Sequence, residues 1–96
     1  MKKVALIIGG AGGIGSAVVR TLLKNGIMVY ATYYEKKENI EKSEYPKNCQ
    51  FMQCDIRKGA DIARVIEHIL NHESEIDIVV NTVTSKLKLK PLVLYR

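Results

Sequence analysis

The feature that most constrains the fold is a glycine-rich turn between a short apolar run and an amphipathic segment. Residues Val4–Ile8 are all apolar, and five of the seven residues 9–15 are glycine. Such an apolar run is typical of a strand that is buried on both faces. Apolar residues then recur at helical spacing up to Asn25, so the turn is predicted to join a strand to a helix. The apolar face of this predicted helix consists of Ile14, Ala17, Val18, Thr21 and Leu22.

The same alternation continues along the chain. Asn25-Gly26 is a signal for the end of the first helix. The elements predicted after it are strands at 27–32, 49–53 and 76–80, a helix from Gly59 or Ala60 to Asn71, and a short helix around Ile40. Buried strands that alternate with amphipathic helices form βαβ units. The prediction is therefore an α/β domain with a short parallel sheet of about four strands.

Length and composition exclude several other classes of protein. A chain of 96 residues is enough for one domain, and 47% hydrophobic with 26% charged residues excludes a disordered chain. No apolar run approaches the ~20 residues that cross a bilayer, and the run after Lys3 is too short for a signal peptide. Two cysteines make no disulfide framework, so we expect a reducing, cytoplasmic location.

The net charge of +5 is concentrated at the C-terminal end. Residues 86–96 contain four basic groups and no acidic one, whereas residues 1–85 contain eleven basic and ten acidic groups. A nucleic-acid-binding protein spreads its basic groups over one face, so neither nucleic acid nor a membrane is predicted as a partner. Lysine and leucine alternate over 86–90, as in an edge strand, until Pro91. We expect a domain over 1–85 and a tail over 86–96 that is either an edge strand or disordered.

The glycine-rich turn also predicts a ligand. Glycine permits positive φ and a close approach of the backbone, and a helix N-terminus directs free N–H groups at an anion. A pyrophosphate is therefore the expected ligand, and a tight turn without a ligand is the alternative. Two registers fit: Gly10, Gly12 and Gly15 match G-x-G-x-x-G, and Gly9, Gly13 and Gly15 match G-x-x-x-G-x-G. The first register expects an acidic residue after the second strand, where Tyr33 and Tyr34 stand instead.

The second register resembles the opening T-G-x-x-x-G-I-G of the short-chain dehydrogenase/reductase family. The resemblance continues through Gly26 and Cys54-Asp55-Ile56 to residues 76–81, which are similar to the strand before the family's N-N-A-G motif. It covers nearly the whole chain. It implies the N-terminal, NAD(P)-binding half of a Rossmann-like three-layer domain, with strand order 3-2-1-4. The reaction it implies is the interconversion of an alcohol and a carbonyl compound.

The resemblance also implies the cofactor site. The glycines of the second register would line the pyrophosphate, Asp55 would accept a hydrogen bond from the adenine amino group, and Ile56 would lie beside the ring. Asn81 would match the first Asn of N-N-A-G. The predicted cofactor-binding residues are Gly9, Gly13, Ile14, Gly15, Tyr33, Asp55, Ile56 and Asn81. The alternatives are a helix cap or surface carboxylate for Asp55 and a strand-end turn residue for Asn81.

The chain departs from the family pattern in three places. Ile8 stands where the family has Thr, so a hydroxyl that would tie the turn to the fourth strand is missing. Residues 82–84 are Thr-Val-Thr in place of N-A-G. Tyr33 stands where NAD-preferring members have an Asp, and Lys36 and Lys37 follow, so NADP is favoured over NAD. The alternative for the two lysines is a solvated loop.

No catalytic residue is predicted. The family's proton-transfer residues are a Ser and the Tyr of Y-x-x-x-K, and both lie beyond the matched segment. Tyr33 and Lys37 have that spacing, but they follow the second strand, on the adenosine side of the expected site. The prediction is an NAD(P)-binding protein without its proton-transfer residues. The alternative is a non-catalytic dinucleotide-binding or oligomerisation module.

Two further features concern metal binding and assembly. Cys49, Cys54, His68 and His72 approach a zinc-finger spacing, but the odd separation of the cysteines in a strand sends them to opposite faces, so no metal site is predicted. A half-sheet would leave an apolar edge on the fourth strand. We expect the tail to cover that edge, in its own chain or in a neighbour, and to form a homo-oligomer.

Overall fold

The structure is a computed structural model, and it describes residues 2–10, 13–34, 45–83 and the strand at 92–95. The elements are β1 (Val4–Ile8), α1 (Gly13–Lys24), β2 (Met28–Tyr33), β3 (Cys49–Gln53), α2 (Gly59–His72), β4 (Ile78–Asn81) and β5 (Leu92–Tyr95). The predicted strands and both longer helices are present; β1 and β3 have the predicted bounds, and the ends of the other elements differ by one or two residues. The short helix predicted around Ile40 lies outside the described residues.

The strands form one sheet in the order β3-β2-β1-β4-β5. The first four are parallel, which confirms the predicted order 3-2-1-4. Ile8 of β1 is level with Asn81 of β4, so the carboxyl ends of the central strands share one edge of the sheet. Crevices for ligands form at that edge in open α/β sheets.

The fifth strand comes from the predicted tail. β5 pairs antiparallel with β4, with Ile78 opposite Tyr95 and Asn81 opposite Leu92. The tail therefore covers the edge of β4 within its own chain, which is one of the two expected arrangements. The alternating segment 86–90 lies outside the described residues, and the strand begins after Pro91.

An apolar core lies on each face of the sheet, which gives the predicted three layers. Successive residues of β1 alternate between the two faces, and this explains its unbroken apolar sequence. The core on the α1 side contains Ala5, Ile7, Val19, Val29, Ala31, Ile78 and Val80. The core on the α2 side contains Val4, Leu6, Tyr30, Cys54, Val65 and Ile69.

The predicted apolar face of α1 is right at Val18 and Leu22, which pack against the core, but the helix is rotated so that its other predicted members face outward. Gly15 and Val19 are the buried residues of α1, whereas Ile14 is 63% exposed. Ala17 and Thr21, which were expected on the core-facing side, are exposed as well. The cause is Gly15, because a residue without a side chain lets the start of the helix lie against the turn.

The two cysteines lie on opposite faces of the sheet, and the two histidines lie on α2. Cys49 packs on the α1-side core and Cys54 belongs to the α2-side core, as the odd separation predicts. His68 Nε2 lies 2.9 Å from Gln50 Oε1, and His72 Nδ1 lies 2.8 Å from the His68 carbonyl oxygen. The described residues contain no group of three or more His, Cys, Asp or Glu side chains that could hold a metal ion. No helix among them has the length and apolarity to cross a membrane.

Candidate functional site

The glycine-rich turn begins at the end of β1 and is shaped by two of its glycines. Gly9 has a φ of +88°, a conformation that favours glycine. The next residue, Gly10, is buried, and its N–H donates to the Thr32 carbonyl oxygen at 2.9 Å. A Cβ at Gly10 would lie 2.5 Å from the Cβ of Ala31. The turn is therefore held closely against β2.

Gly15 and Gly13 differ in what surrounds them at the start of α1. A Cβ at Gly15 would overlap the carbonyl of Gly9 and lie 2.9 Å from Thr82 Oγ1. A Cβ at Gly13 would meet no atom of the described residues within 4 Å. The protein's own packing thus requires glycine at 15 and leaves open space at 13. The first turn of α1 has no acidic residue, so nothing there repels an anion.

Two threonines hold Gly9 from the strands on either side of β1. The Gly9 N–H donates to Thr32 Oγ1 at 3.1 Å. The Thr82 hydroxyl lies 2.8 Å from the Ile8 carbonyl oxygen and 3.0 Å from that of Gly9. Ile8 has no hydroxyl to tie the turn to the fourth strand, and the Thr82 hydroxyl, directly after that strand, makes this tie instead.

A cavity of about 380 Å³ lies beside this turn, where β1, β2, β3 and β4 end. Its lining residues are Gly9, Thr32, Tyr34, Cys54, Asp55, Ile56, Arg57 and Val83. The turns after β1, β3 and β4 all contribute to this lining. The cavity thus occupies the position where α/β sheets bind their ligands.

Asp55, Arg57 and Tyr34 form one polar cluster on the cavity wall. Arg57 Nε donates to Asp55 Oδ1 at 3.0 Å, and Arg57 Nη2 donates to Asp55 Oδ2 at 3.1 Å. Arg57 Nη2 also donates to the Tyr34 hydroxyl at 2.6 Å, and the guanidinium carbon lies 5.2 Å from the centre of the Tyr34 ring. The side-chain and backbone hydrogen bonds from Arg57 lower the pKa of Asp55. The side-chain hydrogen bond to Asp55 in turn raises the pKa of Arg57. Asp55 is therefore a fixed, ionised acceptor at neutral pH.

Asp55 is not the cap of α2. Its carboxylate accepts from the Arg57 backbone N–H at 3.0 Å, in the turn that precedes the helix. The N-cap of α2 is Lys58, which makes no side-chain capping bond. The Asp55 backbone N–H in turn donates to Asp61 Oδ2 at 3.0 Å, so the first turn of α2 holds the position of Asp55.

The other predicted site residues are placed unequally. Of the eight, Gly9, Asp55 and Ile56 line the cavity, and Ile56 is 37% exposed. At the end of β2 it is Tyr34, and not Tyr33, that lines it. Asn81 Oδ1 accepts from the Val83 N–H at 3.0 Å, as a turn residue does. Ile14 does not contribute, because it lies on the outer surface of α1. Lys36 and Lys37 lie outside the described residues.

Sequence reasoning missed five lining residues: Thr32, Tyr34, Cys54, Arg57 and Val83. The period of a strand offers a signal for two of them, because Thr32 and Tyr34 are separated by two positions and therefore point to the same side. Arg57 follows the Cys-Asp-Ile segment directly, so its place beside the cavity could have been inferred from Asp55.

Comparison with known proteins identifies the family. The family model described as short chain dehydrogenase matches residues 3–92. The chain belongs to the short-chain dehydrogenase family. A homolog from Bacillus subtilis, YusS, is 34% identical over 86 residues, which cover 84% of this chain and 79% of that protein. The Arabidopsis thaliana short-chain dehydrogenase reductase ATA1 is 34% identical over 80 residues, or 83% of this chain and 29% of that protein.

Solved structures of short-chain dehydrogenases show the same fold. The enzyme from Leptospira borgpetersenii, solved with bound NAD⁺, is 27% identical and superposes with a TM-score of 0.70. The match covers 84% of this chain and 31% of that one. The chain thus spans about a third of the length of several relatives, such as ATA1 at 29%, and most of YusS at 79%.

Proposed function

We propose that this chain binds an adenine dinucleotide, NADP(H) or NAD(H), in the cavity at the carboxyl ends of β1–β4. The observation that carries the proposal is the open space at Gly13, whereas Gly9, Gly10 and Gly15 are tightly packed. Gly13 is the first residue of α1, where a helix has free N–H groups that favour an anion, and the first turn has no acidic side chain to compete. Membership of a family of dinucleotide-dependent oxidoreductases supports the same assignment.

The described residues fit such a cofactor. Gly9, Gly13 and Gly15 would surround the pyrophosphate at the start of α1. Arg57 occupies three of the acceptor positions on Asp55, and a carboxylate has about four, so Asp55 retains room for the adenine amino group. Ile56 would contact the face of the adenine, since it lines the cavity with its side chain partly exposed. When bound, the nicotinamide supplies a hydride donor or acceptor.

We propose a preference for NADP(H) over NAD(H). No carboxylate stands at Tyr33, where one would hold the ribose 2′-hydroxyl and repel a 2′-phosphate. Among the described lining residues the carboxylate is Asp55, and it is paired with Arg57. Lys36 and Lys37 follow in the sequence and would add positive charge.

For the whole protein we propose an oxidoreductase of alcohols and carbonyl compounds, and for these 96 residues a binding role without hydride transfer. Proton transfer to the substrate needs an acid or base beside the nicotinamide. The only Tyr-x-x-x-Lys spacing in the sequence is Tyr33 with Lys37. Tyr33 ends β2, beside the Asp55 end of the cavity. A non-catalytic dinucleotide-binding or oligomerisation module is the second candidate, and β5 favours it because it covers the edge of β4.

Calorimetric titration of the chain with NADPH and NADH tests the binding. We expect saturable heat with both and tighter binding of NADPH. Asp55→Asn should weaken both by about 3- to 10-fold, because an amide accepts less strongly than a carboxylate. Glu67→Gln, which neutralises an exposed carboxylate farther along α2, is the matched control. Absence of heat with either dinucleotide at millimolar concentration would refute the assignment.

We also propose that residues 1–85 form the binding domain and that the chain self-associates through the tail, 86–96. Both edges of β4 are paired, to β1 and to β5, so the outer edge of β5 is where a second copy would add.

A reducing, cytoplasmic location is proposed as well. Both cysteines are unpaired, and burial raises the pKa of Cys49 to about 11, which keeps its thiol unreactive.

A further inference from the structure

The hydroxyl of Thr82 occupies an unusual position between two consecutive carbonyl oxygens. It lies 2.8 Å from the Ile8 oxygen and 3.0 Å from the Gly9 oxygen, and the Thr82 N–H also donates to Ile8 at 2.9 Å. The contact joins residues 74 positions apart in the sequence. It therefore ties the end of β4 to the first residue of the glycine-rich turn.

On the other side of Gly9, Thr32 completes the arrangement. Its hydroxyl accepts from the Gly9 N–H at 3.1 Å, and Thr32 is only 3% exposed. Both polar groups of Gly9 are thus held by hydroxyls from the neighbouring strands. Ile8 offers no hydroxyl, so the tie to β4 depends on Thr82.

We propose that Thr82 is the positioning residue of the glycine-rich turn. It sets the orientation of the Gly9 peptide and so shapes the turn that would receive a phosphate-bearing ligand at the start of α1. The ligand part of this inference rests on the proposed function, whereas the ordering of the turn does not. Thr82 Oγ1 would lie 2.9 Å from a Cβ at Gly15, so the same oxygen also limits how closely α1 can approach.

Loss of the hydroxyl should loosen the turn without opening the core. In Thr82→Val the two carbonyl oxygens lose a donor, and Gly9, with its permissive backbone, can rotate. The Thr82 N–H bond to Ile8 remains, so the pairing of β1 with β4 is retained. The change should therefore be local to residues 8–10.

The test combines hydrogen exchange in the ligand-free chain with binding measurements. In Thr82→Val we expect the amides of Gly9 and Gly10 to exchange about 3- to 10-fold faster, as expected for one lost hydrogen bond. The dissociation constants of ADP, NADH and NADPH should rise by a similar factor. Adenosine, which lacks phosphate, should bind within about twofold of its wild-type affinity.

Two variants keep the result interpretable. Thr82→Ser retains the hydroxyl and should restore both exchange and binding. Thr21→Val removes an exposed hydroxyl that donates to the Ala17 carbonyl oxygen of its own helix, and it should change neither. If Thr82→Val matches wild type in exchange and in ADP binding, or if Thr82→Ser is as impaired as Thr82→Val, the proposal is wrong. If the wild-type chain binds no nucleotide, the proposed function fails, and the exchange rates alone decide the role of Thr82.

Discussion

Substitution of Gly13 separates ligand binding from folding. A Cβ at this position meets no described atom within 4 Å. Valine is favoured over glycine in a helix by a few tenths of a kcal/mol, so Gly13→Val should leave the free energy of unfolding within about 0.5 kcal/mol of wild type. The valine methyl groups would, however, occupy space assigned to the pyrophosphate. Overpacking of that kind costs about 1–3 kcal/mol, which corresponds to roughly 5- to 150-fold weaker binding of NADPH.

Gly15 provides the contrasting case, since a Cβ there overlaps the Gly9 carbonyl. Gly15→Ala should lower the free energy of unfolding by about 1–3 kcal/mol. Urea unfolding and calorimetric titration with NADPH measure both quantities, and Gly13→Ala should fall between wild type and Gly13→Val in affinity. A folded Gly13→Val chain that binds NADPH within twofold of wild type would refute the placement of the phosphates. So would a Gly13→Val chain that is as unstable as Gly15→Ala.

Three further predictions concern pH and assembly. Burial and the hydrogen bond to Glu73 at 2.8 Å raise the pKa of Tyr30 from 10.0 to about 12. The stability that this group contributes is therefore complete below pH ~10, and up to about 2–3 kcal/mol of it is lost as pH rises to 12. In urea unfolding, the free energy of unfolding of Tyr30→Phe should not fall with pH in this way. An equal pH dependence in both chains would contradict the prediction. The pKa of Asp55 is lowered, so its contribution to stability is lost as pH falls through that pKa. Arg57→Met should raise the pKa of Asp55 in an NMR titration of its carboxyl carbon. An unchanged pKa would show that Arg57 does not cause the lowering. Sedimentation equilibrium should show a dimer for the full chain and not for a chain ending at Ser85, and a full chain that stays monomeric at high concentration would exclude self-association through the tail.

Much of the fold could be predicted from local pattern. The apolar run Val4–Ile8 indicates a strand covered on both sides, and cores do lie on both faces of β1. The rotation of α1 could not be predicted from apolar spacing, because it depends on the contact between Gly15 and the Gly9 carbonyl. The spacing of apolar side chains does not show at which position the fold leaves no space for a side chain.

The site was harder to predict where its groups are distant in sequence. The tie between Thr82 and Gly9 depends on the register of β1 with β4, which the sequence does not specify. The choice between Tyr33 and Tyr34 follows from strand alternation: Tyr33 shares its parity with Ala31 on the α1 side, so Tyr34 lines the cavity. Family resemblance located the segment correctly but could not determine the side to which each residue points.

Titration of the isotope-labelled chain with NADPH, followed by amide chemical shifts, tests cofactor binding at this cavity most directly. We expect saturable shifts at Gly9, Gly13 and Ile56, around the carboxyl end of the sheet. The amides of Lys3 and Glu73, at the opposite end, should not move. No shifts at millimolar NADPH, or shifts confined to that opposite end, would contradict the account.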